Sequence, residues 1–197
     1  MKSLLSALLF LFILSGSNNA QSSFAKYGND FLSTGAGARA LGMGSAQASI
    51  ATDVTAAYWN VAGLSKIGEP QAIYMHSERF DGIVGYDYGA FALPLKSKNA
   101  VFSVSFFRQG VDNIANTLNA WDADRNQPRE NPQDYITRFS AADLALFFSF
   151  AKQSAERFSY GITAKIINQR LGPFAEAWGY SLDVGAQLQT DIVDFGV

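Results

Sequence analysis

The sequence predicts an all-β protein, an antiparallel outer-membrane β-barrel of which this chain carries about six to seven strands, preceded by a segment folded inside it as a hatch. Three observations predict it. First, apolar residues recur at every second position in three consecutive runs: Leu144, Leu146, Phe148, Phe150; then Phe158, Tyr160, Ile162, Ala164, Ile166; then Trp178, Tyr180, Leu182, Val184, Ala186, Leu188. The positions between them are small or polar: Asp143, Ala145, Ser149; Ser159, Gly161, Thr163, Lys165, Gln169; Gly179, Ser181, Asp183, Gly185, Gln187. A period of two is that of a strand with unlike faces. Second, each run suits a membrane strand of ~9–11 residues better than an ordinary strand of ~5–6. Third, Met1-Lys2, the apolar stretch Leu4 to Leu14 and a small residue at Ala20 have the layout of a secretory signal peptide, so the chain is expected to be exported.

The order of elements follows. Residues 1–20 read as the signal, with cleavage after Ala20 and, as an alternative, after Ser17. Residues 21–70 read as the hatch: Phe31 to Ile67 is rich in Gly, Ala and Ser, which let a backbone pack closely in a confined space, and Asp53 is placed to cap a short helix through Ala57 to Leu64. Residues 71–197 read as strands: Gln71 to Ser77, Gly85 to Leu95, Asn99 to Gln109, Ala141 to Ala151, Phe158 to Leu171, Ala177 to Leu188, and a seventh beginning near Ile192. Pro94 falls near a strand end, where its missing donor matters least. The connections Lys96 to Lys98 and Lys152 to Arg157 are short, whereas Gly110 to Ser140 is long and polar. Barrels put short turns in the periplasm and long loops outside, and this alternation fits a strand order starting from the periplasm. Tyr86, Tyr88, Phe158, Tyr160, Trp178 and Tyr180 then fall near the membrane interfaces. Six strands and a fragment do not close a barrel, so the chain is expected to be the N-terminal part of a larger one.

Composition narrows the function classes. With 48% hydrophobic residues, 16% charged residues and a net charge of -2, there is no electrostatic footprint for nucleic acid. The chain has no cysteine and one histidine, so neither a disulfide framework nor a Cys/His zinc site is signalled, and neither an enzyme nor a cofactor is expected. His76, Glu78 and Asp81 lie close in sequence, but read better as a solvated loop than as a metal site. Gly35-Ala36-Gly37-Ala38-Arg39-Ala40 matches a dinucleotide fingerprint formally, yet no buried strand precedes it and no βαβ unit follows.

One inward constellation stands out. If the apolar residues of the last three long strands share a side, five-residue connections at Lys152 to Glu156 and Gly172 to Glu176 pair Asp143 with Lys165 and Lys165 with Asp183. The three charges then form a row across the lumen. Arg39 is its candidate partner from the hatch, against the plainer reading of lumenal charge balance.

The stretch GARALGMGSAQASIATDVTAAYWNVAGL resembles the opening motif of the PorV/PorQ family of outer-membrane proteins, itself similar to FadL-type transporters. DLALFFSFAKQ, RFSYGITAKIINQRL and YSLDVGAQLQT resemble the same family's middle strands. The resemblance implies a FadL-like barrel of about fourteen strands with the N-terminal segment as hatch. It draws attention to Gly35, Gly37, Arg39, Gly42, Gly44, Asp53, Asn60 and Gly63 as the hatch motif. Val61 stands where the FadL-like pattern has proline in Asn-Pro-Ala. The resemblance further implies a component of protein secretion or surface attachment of the type IX kind, with outer-membrane lipid, secreted cargo and secretion-machinery proteins as partners. The alternatives are a FadL-like channel for a hydrophobic ligand and a soluble secreted β-sandwich that binds a partner.

Overall fold

The alternating runs form strands of a computed structural model that describes residues 29–197; the expected signal peptide lies outside the described residues. In chain order the strands are β1 (Gln71–Arg79), β2 (Val84–Leu95), β3 (Ala100–Asn116), β4 (Trp121–Asp122), β5 (Gln127–Pro128), β6 (Thr137–Ala155), β7 (Phe158–Leu171), β8 (Ala175–Leu188) and β9 (Phe195–Gly196). Seven of them make one antiparallel sheet in the order β1-β2-β3-β6-β7-β8-β9, curled into a half-barrel, while β4 and β5 form a separate hairpin. Among the described residues no helix is long and apolar enough to cross a membrane.

Register places the apolar set on one face of the sheet. Leu93, Phe102, Phe150, Ile162 and Val184 form one transverse row; Phe91, Val104, Phe148, Ala164 and Leu182 form the next; Tyr74, Gly89, Phe106, Leu146, Ile166 and Tyr180 form a third. Most of these large side chains are exposed, reaching 79% at Tyr180 and 78% at Val184. The opposite face carries the rows Ala92, Ser103, Ser149, Thr163, Asp183 and Pro94, Val101, Ala151, Gly161, Gly185. There Ser103, Ser149 and Thr163 are buried, with Ser149 and Thr163 sharing a 2.8 Å hydroxyl hydrogen bond.

Residues 31–67 cover that second face. The 3-10 helix Val61–Lys66 packs against β3, β6, β7 and β8 together, which a straight rod can do only from inside the curl. The small, polar face is therefore the inner one, and the aromatic face is the outer one. This is the reverse of a soluble sheet, which turns its apolar face to the core.

Two expectations about connections are corrected. Gly110 to Ser140 is not loop throughout: β3 continues to Asn116 and β6 begins at Thr137, paired as Ile114–Phe139, Ala115–Arg138 and Asn116–Thr137 beyond an irregularity between Val111 and Ile114. Backbone pairing carries these strands past the apolar alternation, so the hydrophobic pattern marks the outer band and not the strand ends. The turns after β6 and β7 are also shorter than five residues, because β6 runs to Ala155 with a bulge between Gln153 and Ala155, and β8 starts at Ala175.

Burial separates the two faces energetically. Phe107 is fully buried on the inner face, and Phe102, five residues earlier on β3, is 41% exposed on the outer. Phe107→Ala is expected to cost ~3–5 kcal/mol of unfolding free energy, and Phe102→Ala less than about half of that, in denaturant titrations.

Candidate functional site: the seat of the N-terminal segment

The motif between Gly35 and Leu64 is built from short turns held by side-chain bonds to backbone. A 3-10 turn at Asp30–Ser33 leads into helix α1 (Ala38–Gly42), and helix α2 (Ala56–Trp59) is followed by the 3-10 helix Val61–Lys66. A turn, not a buried strand, thus precedes the Gly35–Gly37 pair. Gly35 and Gly37 have φ of +90° and +89°, a region that side chains disfavour, and a Cβ on Gly35 would meet Leu41 and Trp59. Trp59 Nε1 donates to the Ala36 carbonyl at 2.8 Å. Tyr58 accepts from the Gly35 amide at 3.0 Å and donates to the Leu32 carbonyl, which ties the two halves of the motif together. Burial raises the Tyr58 phenol above its ordinary pKa, against the lowering effect of the Gly35 bond, so it stays a donor.

Asp53 works differently from the expected helix cap. Its carboxylate accepts from the Thr55 amide at 2.8 Å and from the Thr55 hydroxyl, forming a turn that precedes α2. The expected continuous helix from Ala57 to Leu64 is broken at Asn60, whose backbone is extended at φ -157° and ψ 105°. The break frees the Asn60 side chain to work on both sides of it. Its carbonyl oxygen accepts from the Ala62 amide at 3.1 Å, and its amide donates to the Ala48 carbonyl at 2.6 Å and to the Ala186 carbonyl of β8 at 3.1 Å.

The segment is seated at two places. Toward one end of the sheet, Tyr58 lies among inner-face aromatics, with ring centroids 5.6 Å from Phe107, 5.9 Å from Tyr88 and 6.1 Å from Phe147, while Phe31 lies 6.1 Å from Phe107. Toward the other, Val61 enters a notch between the paired glycines Gly161 and Gly185. A Cβ on Gly161 would come within 2.9 Å of Val61 Cγ2, and one on Gly185 would overlap the Asn60 side-chain oxygen and come within 3.1 Å of Val61 Cγ1. Buried Gln187 of β8 completes the seat, donating toward the Ala48 and Ala51 carbonyls at 3.3 and 3.2 Å. Gly63 is needed where a Cβ would overlap the Ala51 carbonyl. Nothing crowds Gly42 or Gly44, although Gly44 has φ +63°.

The expected charge row is corrected by register. Asp143 stands opposite Gln169, Lys165 opposite Phe147 and Ser181, and Asp183 opposite Thr163. Lys165 and Asp183 still meet as a diagonal ion pair, and the Lys165 ammonium lies 5.1 Å from the Phe147 ring centroid. Asp143 is removed from Lys165 by four residues along β6, about 13 Å of strand. Arg39 is exposed on α1, and among the described residues no ion pair joins it to the row. The cause is the shortened turns, since each residue lost from a connection slides the partner strand.

The His76 neighbourhood also differs from the expected loop. Asp81 is not part of it. Instead Asp87 of β2 accepts from Tyr74 at 2.8 Å and from Arg108 at 3.3 Å and faces His76 Nδ1 at 2.7 Å, with Glu78 3.4 Å from His76 Nε2. All five lie on the outer face, at the border of the apolar rows. Among the described residues no group of three His, Cys, Asp or Glu side chains is placed to hold a metal ion.

Sequence reading missed four contributors to the seat. Phe107 and Phe147 break the alternation by putting rings at inner positions, and that breach was a readable signal. Gly161 and Gly185 looked like ordinary small inward residues, because nothing in their own runs marks a partner at Val61.

No protein-family model, curated protein or solved structure matches the chain.

The notch yields a direct test. Gly185→Leu is expected to expel Asn60 and Val61, so that limited proteolysis cuts within residues 31–67 much faster while the strands stay protected. Gly179→Ala, whose added Cβ has only an ordinary 3.8 Å contact with Ile167, should leave the cleavage rate unchanged.

Proposed function

We propose that the half-barrel is the wall of an outer-membrane β-barrel, that residues 31–67 are its hatch, and that the protein serves protein secretion or surface attachment in the manner of the PorV/PorQ family it resembles. The observation that carries this reading is the inverted sheet: exposed aromatic and aliphatic rows outside, a packed small and polar face inside. Soluble monomers rarely expose contiguous apolar patches beyond a few hundred Å². From Phe158 to the level of Asn168 and Trp178 is ten residue steps, about 34 Å of strand, or about 24–28 Å along the normal at the 35–45° tilt of such barrels. That matches an apolar band of about 25 Å. Its borders carry Phe158 and Tyr160 on one side and Trp178 on the other, as interfacial girdles do, whereas Tyr86 and Tyr88, expected among them, are buried on the inner face.

The hatch assignment rests on the motif itself. The stretch that resembles the family's opening is the one that fills the inner face, anchored by Tyr58, Asn60 and Val61. Val61 in place of proline suits this chain, because a branched side chain fills the glycine notch. The secretion reading is preferred to a hydrophobic conduit because the inner apolar surface at Tyr88, Phe107 and Phe147 is already occupied by Tyr58 and Phe31, which a solute must displace. A β-sandwich requires a second sheet over the outer face, and among the described residues only the two-residue strands β4 and β5 lie outside the main sheet.

The membrane reading makes substitution cost depend on depth. Ile162→Arg, in the middle of the outer band, is expected to cost about 2–4 kcal/mol of folding free energy in lipid vesicles, and Trp178→Arg at the border about 0–1. Equal costs at the two depths, or a protein that stays dispersed in buffer without detergent, defeat the assignment. Affinity capture from the membrane fraction tests the function: recovery of secreted cargo supports secretion, whereas saturable fatty-acid binding with no cargo favours the conduit.

A further inference from the structure

We propose that the rim of the outer face at the Lys96–Lys98 turn is a binding site for the headgroup of an anionic phospholipid, an inference that rests on the membrane reading above. A cleft of ≈ 580 Å³ at this rim is lined by Lys96, Ser97, Lys98, Asn99, Phe150 and Lys152. Three lysines and no carboxylate face it. Lys96 reaches Glu69 at 3.2 Å, but among the described residues neither Lys98 nor Lys152 has an ion-pair partner.

Geometry joins this charge to the apolar band. Phe150 and Lys152 are successive outward residues of β6; Phe150 is paired with Phe102 on one side and Ile162 on the other, and Lys152 is paired with Tyr160. A lipid whose acyl chains lie along Phe102, Phe150 and Ile162 brings its phosphate to the level of Lys152 and the Lys96–Lys98 turn. Lysine suits the place, because its aliphatic stem lies along apolar surface while the ammonium reaches the headgroup layer. At the opposite border the described residues bring acidic side chains beside the basic ones, Arg170 standing opposite Glu176. There Arg108 and His76 are both taken up by Asp87, and Glu78 adds further negative charge. The two rims therefore present different electrostatics: net positive beside the short turns, internally neutralised beside the long connection. Clusters of basic residues bordering an apolar span attract anionic lipid, at about a fivefold gain in affinity per residue close to the surface.

The full chain reconstituted into vesicles holding phosphatidylcholine in excess over phosphatidylglycerol, then released into the gas phase for native mass spectrometry, tests the site. The wild type is expected to retain phosphatidylglycerol in preference to phosphatidylcholine, with the preference falling as salt is raised. Lys98→Gln with Lys152→Gln is expected to lower it by about twenty-five-fold, about fivefold for each lysine. Both side chains are exposed, and heat-modifiable migration checks that the variant folds. The salt arm uses only the wild type, so it decides even if the variant misfolds. Incorporation into vesicles without phosphatidylglycerol preference, or a preference indifferent to both salt and the substitutions, overturns the lipid site alone. Displacement of the lipid by inorganic phosphate at comparable concentration also overturns it, by showing a site for the free anion. A wild type that does not enter vesicles at all overturns the membrane reading and this site with it.

Discussion

The structure depends on one constraint: most of the large apolar side chains of the sheet point away from residues 31–67, the segment that, among the described residues, packs against it. In a soluble sheet the same alternation brings those residues into the core. Here the core is made from the other parity, where Ser103, Ser149, Thr163 and Gly185 leave too little bulk to pack on themselves. The inner face therefore needs a second layer, and residues 31–67 provide it. Their own composition follows from that role. Segments threaded through a narrow space need close backbone approach, which is why Gly63 passes against the Ala51 carbonyl and Gly35 adopts a conformation that other residues avoid.

The seat combines two kinds of fixation. At the Tyr58 end the contact is broad: several rings at centroid distances of 5.6–6.1 Å contribute by burial and tilted aromatic packing, and tolerate small displacements. At the Asn60 end the contact is specific, since a directional amide and a glycine notch accept one position only. Together they determine both the strength of the segment's attachment and its placement along the strands. Gln187 and Asn60 converge on the Ala48 carbonyl, so β8 bonds to the same turn that α2 depends on. Displacement of the segment thus unpairs groups at both ends at once, and the cost of leaving a buried polar group unsatisfied, about 1–3 kcal/mol each, resists partial release.

Much of the sheet was legible in the sequence because period-two alternation is dictated by strand geometry itself. β7 spans the residues expected from its pattern, Phe158 to Leu171, and β8 begins two residues before its expected start. What alternation does not encode is turn length. The bulge at Gln153 and Ala155 and the early start of β8 shift the register, which separates Asp143 from Lys165 and leaves Lys165 to reach Asp183 on a diagonal. Strand ends were illegible for a related reason: beyond the apolar band, residues such as Ile114 and Arg138 stay in the ladder through backbone bonds that no side-chain pattern records. The site was half legible. Glycines with positive φ stand out by composition, whereas the role of Gly161 exists only once Val61 is brought to it from a hundred residues away in sequence. Phe107 and Phe147 were the overlooked clue, since a ring on the polar parity needs an apolar partner inside, and Tyr58 is that partner.

The edges of the sheet carry the argument one step further. Among the described residues β1 has no neighbour on its far side, and β8 is paired on its far side only at Gln187 and Leu188, by β9, with Ala186 also bonded to Val197. From Ala175 to Gly185 its edge groups face outward beside Trp178, Tyr180, Leu182 and Val184, four of the most exposed large side chains in the protein. In water such an edge invites association with other strands, and in hydrocarbon each unpaired N–H and C=O costs several kcal/mol. An inverted sheet in a membrane is therefore physically sound only when strands of the same chain or of another pair with both β1 and β8. β9 begins such pairing at one end: it runs antiparallel to β8, and its Gly196 passes close to Ala48 and Ser49, so the inner segment that seats the rest of the sheet lies against this strand as well.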